Sequence, residues 1–465
     1  MAGLVRPGSI RRAVSHLLIA GHNPVSPPLA YSSPSARQSP SNPSLTPVPF
    51  SHWLGAVGRA QDVDLECQLC SNSIASGYGH ALLAYRNGLG EERVFAAGRN
   101  EAGQLGIGYA SQEDTRGLVE GFRGDNILQA AAACQSSYLL LRRQDQNPAL
   151  FVFGNLSRGR LGQPGYWPPA HVEDHHEPQL HMLARATQVP LDPELGAIKQ
   201  IAVGFDHLLV LSESGEIWGT GCNTDGQLGL GPENLEDESA LTKVALPEEI
   251  IKGDDKVERI SAGADTSAFV TERGALYTWG NSEYAQALQG RKIDQIHSPT
   301  PIDNGFLSNG QRVVDFRCGG SSSLVLDNSG RVYAAGFGAI GQGKERLSSE
   351  VALPLQSLEG ITRIRAGWGM AAAIQDDGNQ SRLFTWGLNN VHGRLGIGAL
   401  SHRRAGASEP GQLAVPMHVY EPREVQLPLR ELGLNRGEGE WRLGEVEIGE
   451  QTMWVELLEG PSEGA

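Results

Sequence analysis

The chain has 465 residues, of which 53 are acidic and 38 are basic, so its formal net charge is −15 at pH 7. A strongly anionic body is repelled by nucleic-acid phosphates, so we expect no direct DNA binding. The five scattered cysteines form no disulfide framework, and no apolar run reaches the about 18 residues that a transmembrane helix needs.

The N-terminal segment, residues 1–51, differs in charge from the rest of the chain. The first acidic residue is Asp62, and no lysine precedes it. The cationic residues before Asp62 are Arg6, Arg11, Arg12, Arg37 and Arg59. An arginine- and serine-rich segment without acids is typical of a mitochondrial transit peptide. The alternative is a plain disordered tail.

Two further features support this interpretation of residues 1–51. The spacing of Ile10, Val14 and Leu17 predicts one apolar face of a helix. A proline- and serine-rich stretch then runs from Pro24 to Pro49 and predicts a disordered linker. We therefore expect a mitochondrial leader, followed by a folded domain over residues 52–465.

A repeated pattern organises the folded domain. Each unit has an apolar strand after a small residue, a turn, and an aromatic-containing strand that ends on glycine. The six closing glycines are Gly98, Gly154, Gly221, Gly280, Gly336 and Gly387. Their spacing of about 50 to 70 residues is typical of propeller blades. Because one blade cannot bury its own apolar face, the blades must close into a ring.

A tail similar to Gly-Gln-Leu-Gly follows most of the closing glycines. Its central polar residues are Gln104, Arg160, Gln227, Gln286, Gln342 and Arg394. A polar residue that recurs once per repeat follows the repeat and not one site, so a structural role is favoured. We expect these side chains to hydrogen-bond neighbouring backbone.

A seventh unit is only half present near the C-terminus. Residues 446–455 resemble the opening strand of a unit, but no aromatic strand that ends on glycine follows them. The segment Trp53–Gly55 precedes the first unit and can supply the missing strand. The sequence therefore predicts an all-β, seven-bladed propeller, closed by pairing of residues 50–58 with residues 440–457.

The unit resembles the repeat of the regulator of chromosome condensation family over about residues 52–457. The segments 279–286, 336–343 and 395–398 are similar to the mitochondrial branch of that family, which is linked to the Williams-Beuren region in animals. The resemblance implies a role in mitochondrial ribosome biogenesis, through a protein module that acts on large-subunit ribosomal RNA. It also implies a matrix location, peripheral to the inner membrane.

Candidate partner-binding residues lie where the second strand of a unit begins. In exchange factors of this family, acids at this position contact a small GTPase, and the motif Gly204–Leu208 matches, so the resemblance carries that role to Asp206. Asp265 occupies the same position one repeat later. His80 and His207 begin the second strand of their units. For these two residues, a structural role in holding the turn is the favoured alternative.

The longest departure from the repeat, residues 163–196, is a further candidate binding site. It contains Trp167, followed by four histidines among three acids. We interpret it as a partner-binding loop anchored by Trp167, because long excursions from a scaffold often carry binding. A metal site is the disfavoured alternative, since no helical spacing fixes the histidines. Residues 232–256 and 399–425 are weaker candidates of the same kind.

No motif in the chain indicates catalysis. The sequence has no Ser/His/Asp order, no phosphate-binding loop and no second cysteine pair beside Cys67 and Cys70. We therefore predict no covalent catalysis, no cofactor and no metal. The leading hypothesis is a non-catalytic mitochondrial scaffold for protein partners. The alternatives are a guanine-nucleotide exchange factor for a mitochondrial GTPase and an assembly factor for a respiratory-chain complex.

Overall fold

The computed structural model describes residues 15–22, 41–47, 68–87, 89–122, 125–143, 146–155, 157, 182–308, 310–378, 380–398, 416–432 and 441–459. In these residues, 28 strands form seven four-stranded antiparallel sheets. The first strands of the sheets contact one another around one central channel. The predicted seven-bladed propeller, closed by strands from both chain ends, is confirmed.

The strands follow the chain in a simple order. The first two are β1 (Ser15–His22) and β2 (Ser41–Pro47). Blades one to six then take four consecutive strands each, ordered from the channel to the rim. Blades one and two are β3 (Gln68–Ser76), β4 (His80–Arg86), β5 (Glu92–Asn100), β6 (Ser111–Leu118), β7 (Asn126–Ala132), β8 (Ser136–Arg142), β9 (Ala149–Asn155) and β10 (Met182–Gln188). Blades three and four are β11 (Ile198–Val203), β12 (His207–Ser212), β13 (Ile217–Gly221), β14 (Glu238–Lys243), β15 (Val257–Gly263), β16 (Thr266–Thr271), β17 (Leu276–Ser282) and β18 (Ile293–Pro301).

Blades five and six continue the pattern. Their strands are β19 (Val313–Cys318), β20 (Ser322–Asp327), β21 (Val332–Phe337), β22 (Ser348–Pro354), β23 (Ile361–Gly367), β24 (Met370–Asp376), β25 (Ser381–Leu388) and β26 (His418–Glu424). Blade seven joins the chain ends in the order β27 (Trp441–Ile448), β28 (Thr452–Glu459), β1 and β2. The helix α1 (Glu248–Ile251) and the 3-10 helices Pro193–Leu195 and Asn304–Phe306 lie between blades.

The strands that close blade seven lie earlier in the chain than predicted. Leu18 pairs with Val455 and Ile19 pairs with Trp454, so β1 occupies the place that the sequence assigned to residues 50–58. Trp53–Gly55 lies outside the described residues. The expectation that all of residues 1–51 form a leader and a disordered linker is therefore wrong for β1 and β2.

Burial on both faces explains why residues 17–20 form a strand and not a helix. Leu17 and Ile19 pack towards blade one, beside Leu83. Leu18 and Ala20 point the other way and join the core that includes blade six. A strand that is buried between two neighbouring sheets has a continuous run of apolar residues. It lacks the alternation of apolar and polar residues that is found when only one face of a strand is buried.

Three predicted insertions contain the outer strands of their blades. β10 lies within 163–196, β14 lies within 232–256 and β26 lies within 399–425. These outer strands are polar and largely half-exposed, as the sequence Glu-Ser-Ala-Leu-Thr-Lys of β14 illustrates. A strand at the edge of a sheet needs little apolar surface, so the pattern that identified the inner strands does not mark it.

Candidate protein-binding face

One end of the channel collects most of the loops that carry the predicted site residues. Because the four strands of a blade alternate in direction, the turn after the first strand and the loop after the third strand open at the same end. We call this end the loop face. Asp206 lies in the turn between β11 and β12, and Asp265 lies in the turn between β15 and β16.

His80 is buried below this face and joins two blades. His80 is only 2% exposed, and its Nε2 lies 2.9 Å from Oγ of Ser137 in blade two. The Ser137 hydroxyl donates its proton to the carbonyl oxygen of Gln104, 2.8 Å away. The hydroxyl has one proton only, so Nε2 of His80 must donate to it. The structure therefore contradicts a direct partner contact for His80.

His207 repeats the arrangement between blades three and four. It is 1% exposed, and its Nε2 lies 2.9 Å from Oγ of Ser267, which donates to the carbonyl oxygen of Gln227. Burial lowers the pKa of each histidine to about 4, so both are neutral at pH 7. Both histidines therefore have a structural role, which is the alternative that the sequence favoured.

The two neutral histidines make the fold sensitive to acid. Between pH 6.5 and 4 an unfolded histidine binds a proton and the folded one does not, so stability falls as the pH falls through this window. At pH 5 we expect a loss of about 2 kcal/mol per histidine relative to pH 7. Urea unfolding at both pH values measures it, with the His80→Gln/His207→Gln variant as the control. The same loss in the variant would contradict the assignment.

Asp206 and Asp265 are placed where a partner can reach them. Both are half-buried residues of turns at the loop face. The backbone carbonyl of Asp206 accepts from the N–H of Cys222, and that of Asp265 accepts from the N–H of Asn281. Oδ1 of Asp265 also accepts from Nε2 of Gln227, at 3.3 Å. These bonds fix the two turns at the loop face.

Arg394 holds the loop face together between blades six and seven. It is 4% exposed, and its guanidinium donates to the carbonyl oxygens of Trp368, Leu388 and Glu450 at 2.6 to 3.2 Å. Burial lowers its pKa to about 10, which leaves it charged at pH 7. The expectation that the repeated tail residues bond to neighbouring backbone is confirmed for Arg394.

The channel below the loop face has two unlike walls. Its cavity has a volume of about 1160 Å³. Blades five to seven contribute the charged side chains of Arg317, Arg365 and Glu447, and Nε of Arg365 lies 3.8 Å from a carboxylate oxygen of Glu447. The matching positions of blades one and two are Ala75 and Ala131. Burial, with the weaker opposing effect of Arg365, raises the pKa of Glu447.

The sequence did not predict an aromatic cluster at the channel mouth. The rings of Phe205 and Trp368 are 4.8 Å apart, and the rings of Tyr78 and Trp368 are 5.7 Å apart. The three residues come from blades three, six and one, so their contacts cross the channel. Each of the three residues directly follows a glycine. That glycine is either the last residue of the first strand of its blade or the residue immediately after that strand. An alignment of the seven units at that glycine would have revealed them.

Exposed apolar side chains are concentrated on the loop face. Among the described residues, thirteen large hydrophobic side chains are exposed. Seven of them lie in the turns and loops of this face, and two more are the last residues of strands that lead into it. The nine are Tyr109, Phe205, Leu235, Tyr284, Phe337, Leu347, Leu388, Val391 and Met417. Exposed apolar surface gathered on one face is typical of a protein-interaction site.

The structure describes few of the remaining candidate residues. Trp167 and the histidines near it lie outside the described residues, so the role of Trp167 stays a prediction. Cys67 lies outside them too, and burial raises the pKa of Cys70 to about 12, which suppresses its reactive thiolate form. Where the structure describes the chain, no helix is long and apolar enough to cross a membrane, and no three potential ligands cluster around a metal position.

Comparison with known proteins identifies the repeat. Two family models, both described as regulator of chromosome condensation (RCC1) repeat, match residues 198–227 and 257–286, and residues 214–270 and 273–326. The human RCC1-like G exchanging factor-like protein is 29% identical over 362 residues, which cover 72% of this chain and 71% of the relative.

Two crystal structures share the fold. Human WBSCR16 is 24% identical and has a TM-score of 0.69, covering 96% of this chain and 99% of that chain. Prp20p from Saccharomyces cerevisiae, studied for its binding to Gsp1p and histones, is 16% identical with a TM-score of 0.64, covering 98% of this chain and 93% of that chain. The chain is thus a seven-bladed propeller in which residues 198–326 match the regulator of chromosome condensation (RCC1) repeat.

Proposed function

We propose that this chain is a non-catalytic scaffold that works in mitochondria and holds protein partners on its loop face. The task that we propose is support of mitochondrial ribosome biogenesis, through a module that acts on large-subunit ribosomal RNA. The observation that carries the scaffold proposal is the concentration of exposed apolar side chains on the loop face, where Asp206 and Asp265 also lie. The ribosomal task rests on the resemblance to the mitochondrial branch of the family.

The mitochondrial location rests on the charge of the N-terminal segment, which has five arginines and no acid before Asp62. The fold limits how much of the N-terminal segment can be removed, because Leu17, Leu18 and Ile19 of β1 are buried in the core and at most 1% exposed. Removal of β1 would leave blade seven incomplete. We therefore propose that the removable targeting signal lies within residues 1–14, which include Arg6, Arg11 and Arg12.

Nucleotide exchange on a mitochondrial GTPase is the second candidate function. Asp206 and Asp265 favour it, because they occupy the acidic positions of family exchange factors and lie at an accessible face. The human relative is named for G exchanging activity. Exchange needs no covalent chemistry, since a protein that stabilises the nucleotide-free GTPase shifts the equilibrium towards nucleotide release.

One pair of measurements separates the two functions. In cells that lack the chain, we expect loss of the large mitochondrial ribosomal subunit on sucrose gradients, with restoration by the wild type. Purified chain should leave GDP release from mitochondrial GTPases unchanged. Acceleration of release by about tenfold or more, abolished by Asp206→Ala and kept by Glu213→Ala, would replace the scaffold with an exchange factor. Glu213 is the matched control because it is an exposed acid at the opposite end of blade three.

A normal ribosome profile would reject the ribosomal task. If one respiratory-chain complex were then missing while mitochondrial translation stayed normal, the chain would be an assembly factor for that complex.

A further inference from the structure

The aromatic cluster at the channel mouth is held in an uncommon backbone conformation. Gly367 pairs with Met370, so Trp368 and Gly369 form a two-residue hairpin turn. Their φ angles are +55° and +75°, as in a type I′ turn. Asparagine followed by glycine suits such a turn, whereas a bulky residue with positive φ is an outlier. A strained position that keeps a large side chain points to a function of that side chain.

The bonds around Trp368 fix its position across the channel. Its carbonyl oxygen accepts from the buried guanidinium of Arg394, at 2.7 Å. Its indole contacts the rings of Tyr78 and Phe205 from two other blades, and Phe205 is 37% exposed. Arg99 covers the outer side of Tyr78, with Cζ 4.7 Å from the ring centre. The cluster is therefore a fixed apolar platform, and Phe205 is its exposed part.

A second group of apolar side chains extends this platform over blades four to six. The rings of Tyr284 and Phe337 stack at 5.7 Å and are 43% and 45% exposed. Leu388 and Met417, which are 45% and 56% exposed, border the same cavity as Trp368. The surface thus offers room for at least one bulky apolar side chain of a partner at the channel mouth.

The charges beside the platform are predominantly negative on blades three and four. Asp206 adjoins Phe205, Glu283 adjoins Tyr284, and Asp265 lies in the turn of blade four. Glu283 is exposed and borders the cavity. These carboxylates complement lysine or arginine and repel phosphate groups. The net charge of −15 acts in the same direction over longer distances.

We propose that the channel mouth binds a protein segment in which a bulky apolar side chain is flanked by lysine or arginine. The apolar side chain packs on Phe205 and Trp368, and the flanking cations face Asp206 and Glu283. This inference rests on the proposed scaffold function and names the chemistry of the partner. RNA, a second copy of the chain and the chain's own residues 158–181 are the competing occupants.

The test replaces Phe205 with the photo-cross-linking amino acid p-benzoylphenylalanine in the full chain. Cells that carry this chain are irradiated, and mass spectrometry identifies the cross-linked peptide. We expect a peptide with a bulky apolar residue next to lysine or arginine. The same replacement at Ile251, which is 66% exposed in α1 after the outer strand of blade three and so lies on the opposite face, is the matched control. Cross-links to RNA, to a second copy or to residues 158–181, or an equal yield from position 251, would overturn the proposal.

Two added substitutions separate binding from folding. Trp368→Asn removes the indole and suits the type I′ turn, so we expect the same or a higher melting temperature and a cross-link yield about tenfold lower. Glu283→Lys changes an exposed charge and should also lower the yield about tenfold, with an unchanged melting temperature. A yield that stays unchanged in both variants would overturn the proposal.

The cross-linking experiment and the ribosome profile test the docking site and the ribosomal task independently of each other. A cross-link to a basic, apolar segment of a protein with no link to ribosomes would keep the docking site and reject the ribosomal task. Loss of the large subunit without any cross-link from position 205 would keep the task and reject the docking site.

Discussion

Replacement of Leu18 by aspartate is expected to prevent closure of the propeller. Leu18 is fully buried in β1, where it pairs with Val455 and belongs to the core that includes blade six. The substitution removes a large apolar side chain from the core and places an unpaired carboxylate there. We expect a loss of at least about 4 kcal/mol in the free energy of unfolding, measured with urea and circular dichroism.

The control for this experiment lies in the neighbouring strand. Ser44→Asp introduces the same charge at an exposed position of β2 in the same blade. Its effect should stay within about 0.5 kcal/mol, as is usual for surface substitutions. Equal unfolding midpoints for Leu18→Asp and Ser44→Asp would show that β1 is not part of the folded core.

Replacement of Arg394 by alanine is expected to have the second large effect. The guanidinium satisfies the carbonyl oxygens of Trp368, Leu388 and Glu450 where blades six and seven meet. The three acceptors are part-buried, and each one that loses its donor costs about 1 kcal/mol or somewhat more, so we expect a total loss of about 3 to 5 kcal/mol. The turn of Trp368 should also lose order, visible as a shift in tryptophan fluorescence.

Two variants show whether this loss comes from the bonds of Arg394. Arg394→Lys keeps the charge but not the planar set of donors, so its loss should lie between those of the wild type and the alanine variant. Arg346→Ala removes an exposed arginine from the corresponding loop of blade five and should change little. Equal stability of Arg394→Ala and Arg346→Ala would contradict the role assigned to Arg394.

The sequence predicts the fold well because the repeat carries it. The closing glycines and apolar strands recur in each unit, so blade number and ring closure follow from their spacing. The strands that escaped prediction lack that signal. β14 is polar because it lies at the rim, and the apolar residues 17–20 follow arginines that suggested a targeting helix.

The candidate site is predicted only in part, because closure of the ring brings together residues that lie in different blades. Asp206 and His207 are neighbours in the chain, yet one reaches the face and the other is buried against Ser267. Sequence patterns do not distinguish the half-buried residue from the fully buried one, since both are polar and lie where the turn meets the second strand. The contact of Phe205 with Trp368 joins units that are not adjacent, so no local pattern predicts it.

Amide hydrogen exchange of β1 tests the central claim most directly, because the loop face exists only if the chain ends close the ring. β1 bonds to β28 on one side and to β2 on the other. The amides of residues 17–20 should therefore exchange as slowly as those of residues 208–211 in the core strand β12. Exchange of residues 17–20 at the rate of an unfolded peptide would contradict the closed ring and the binding face that depends on it.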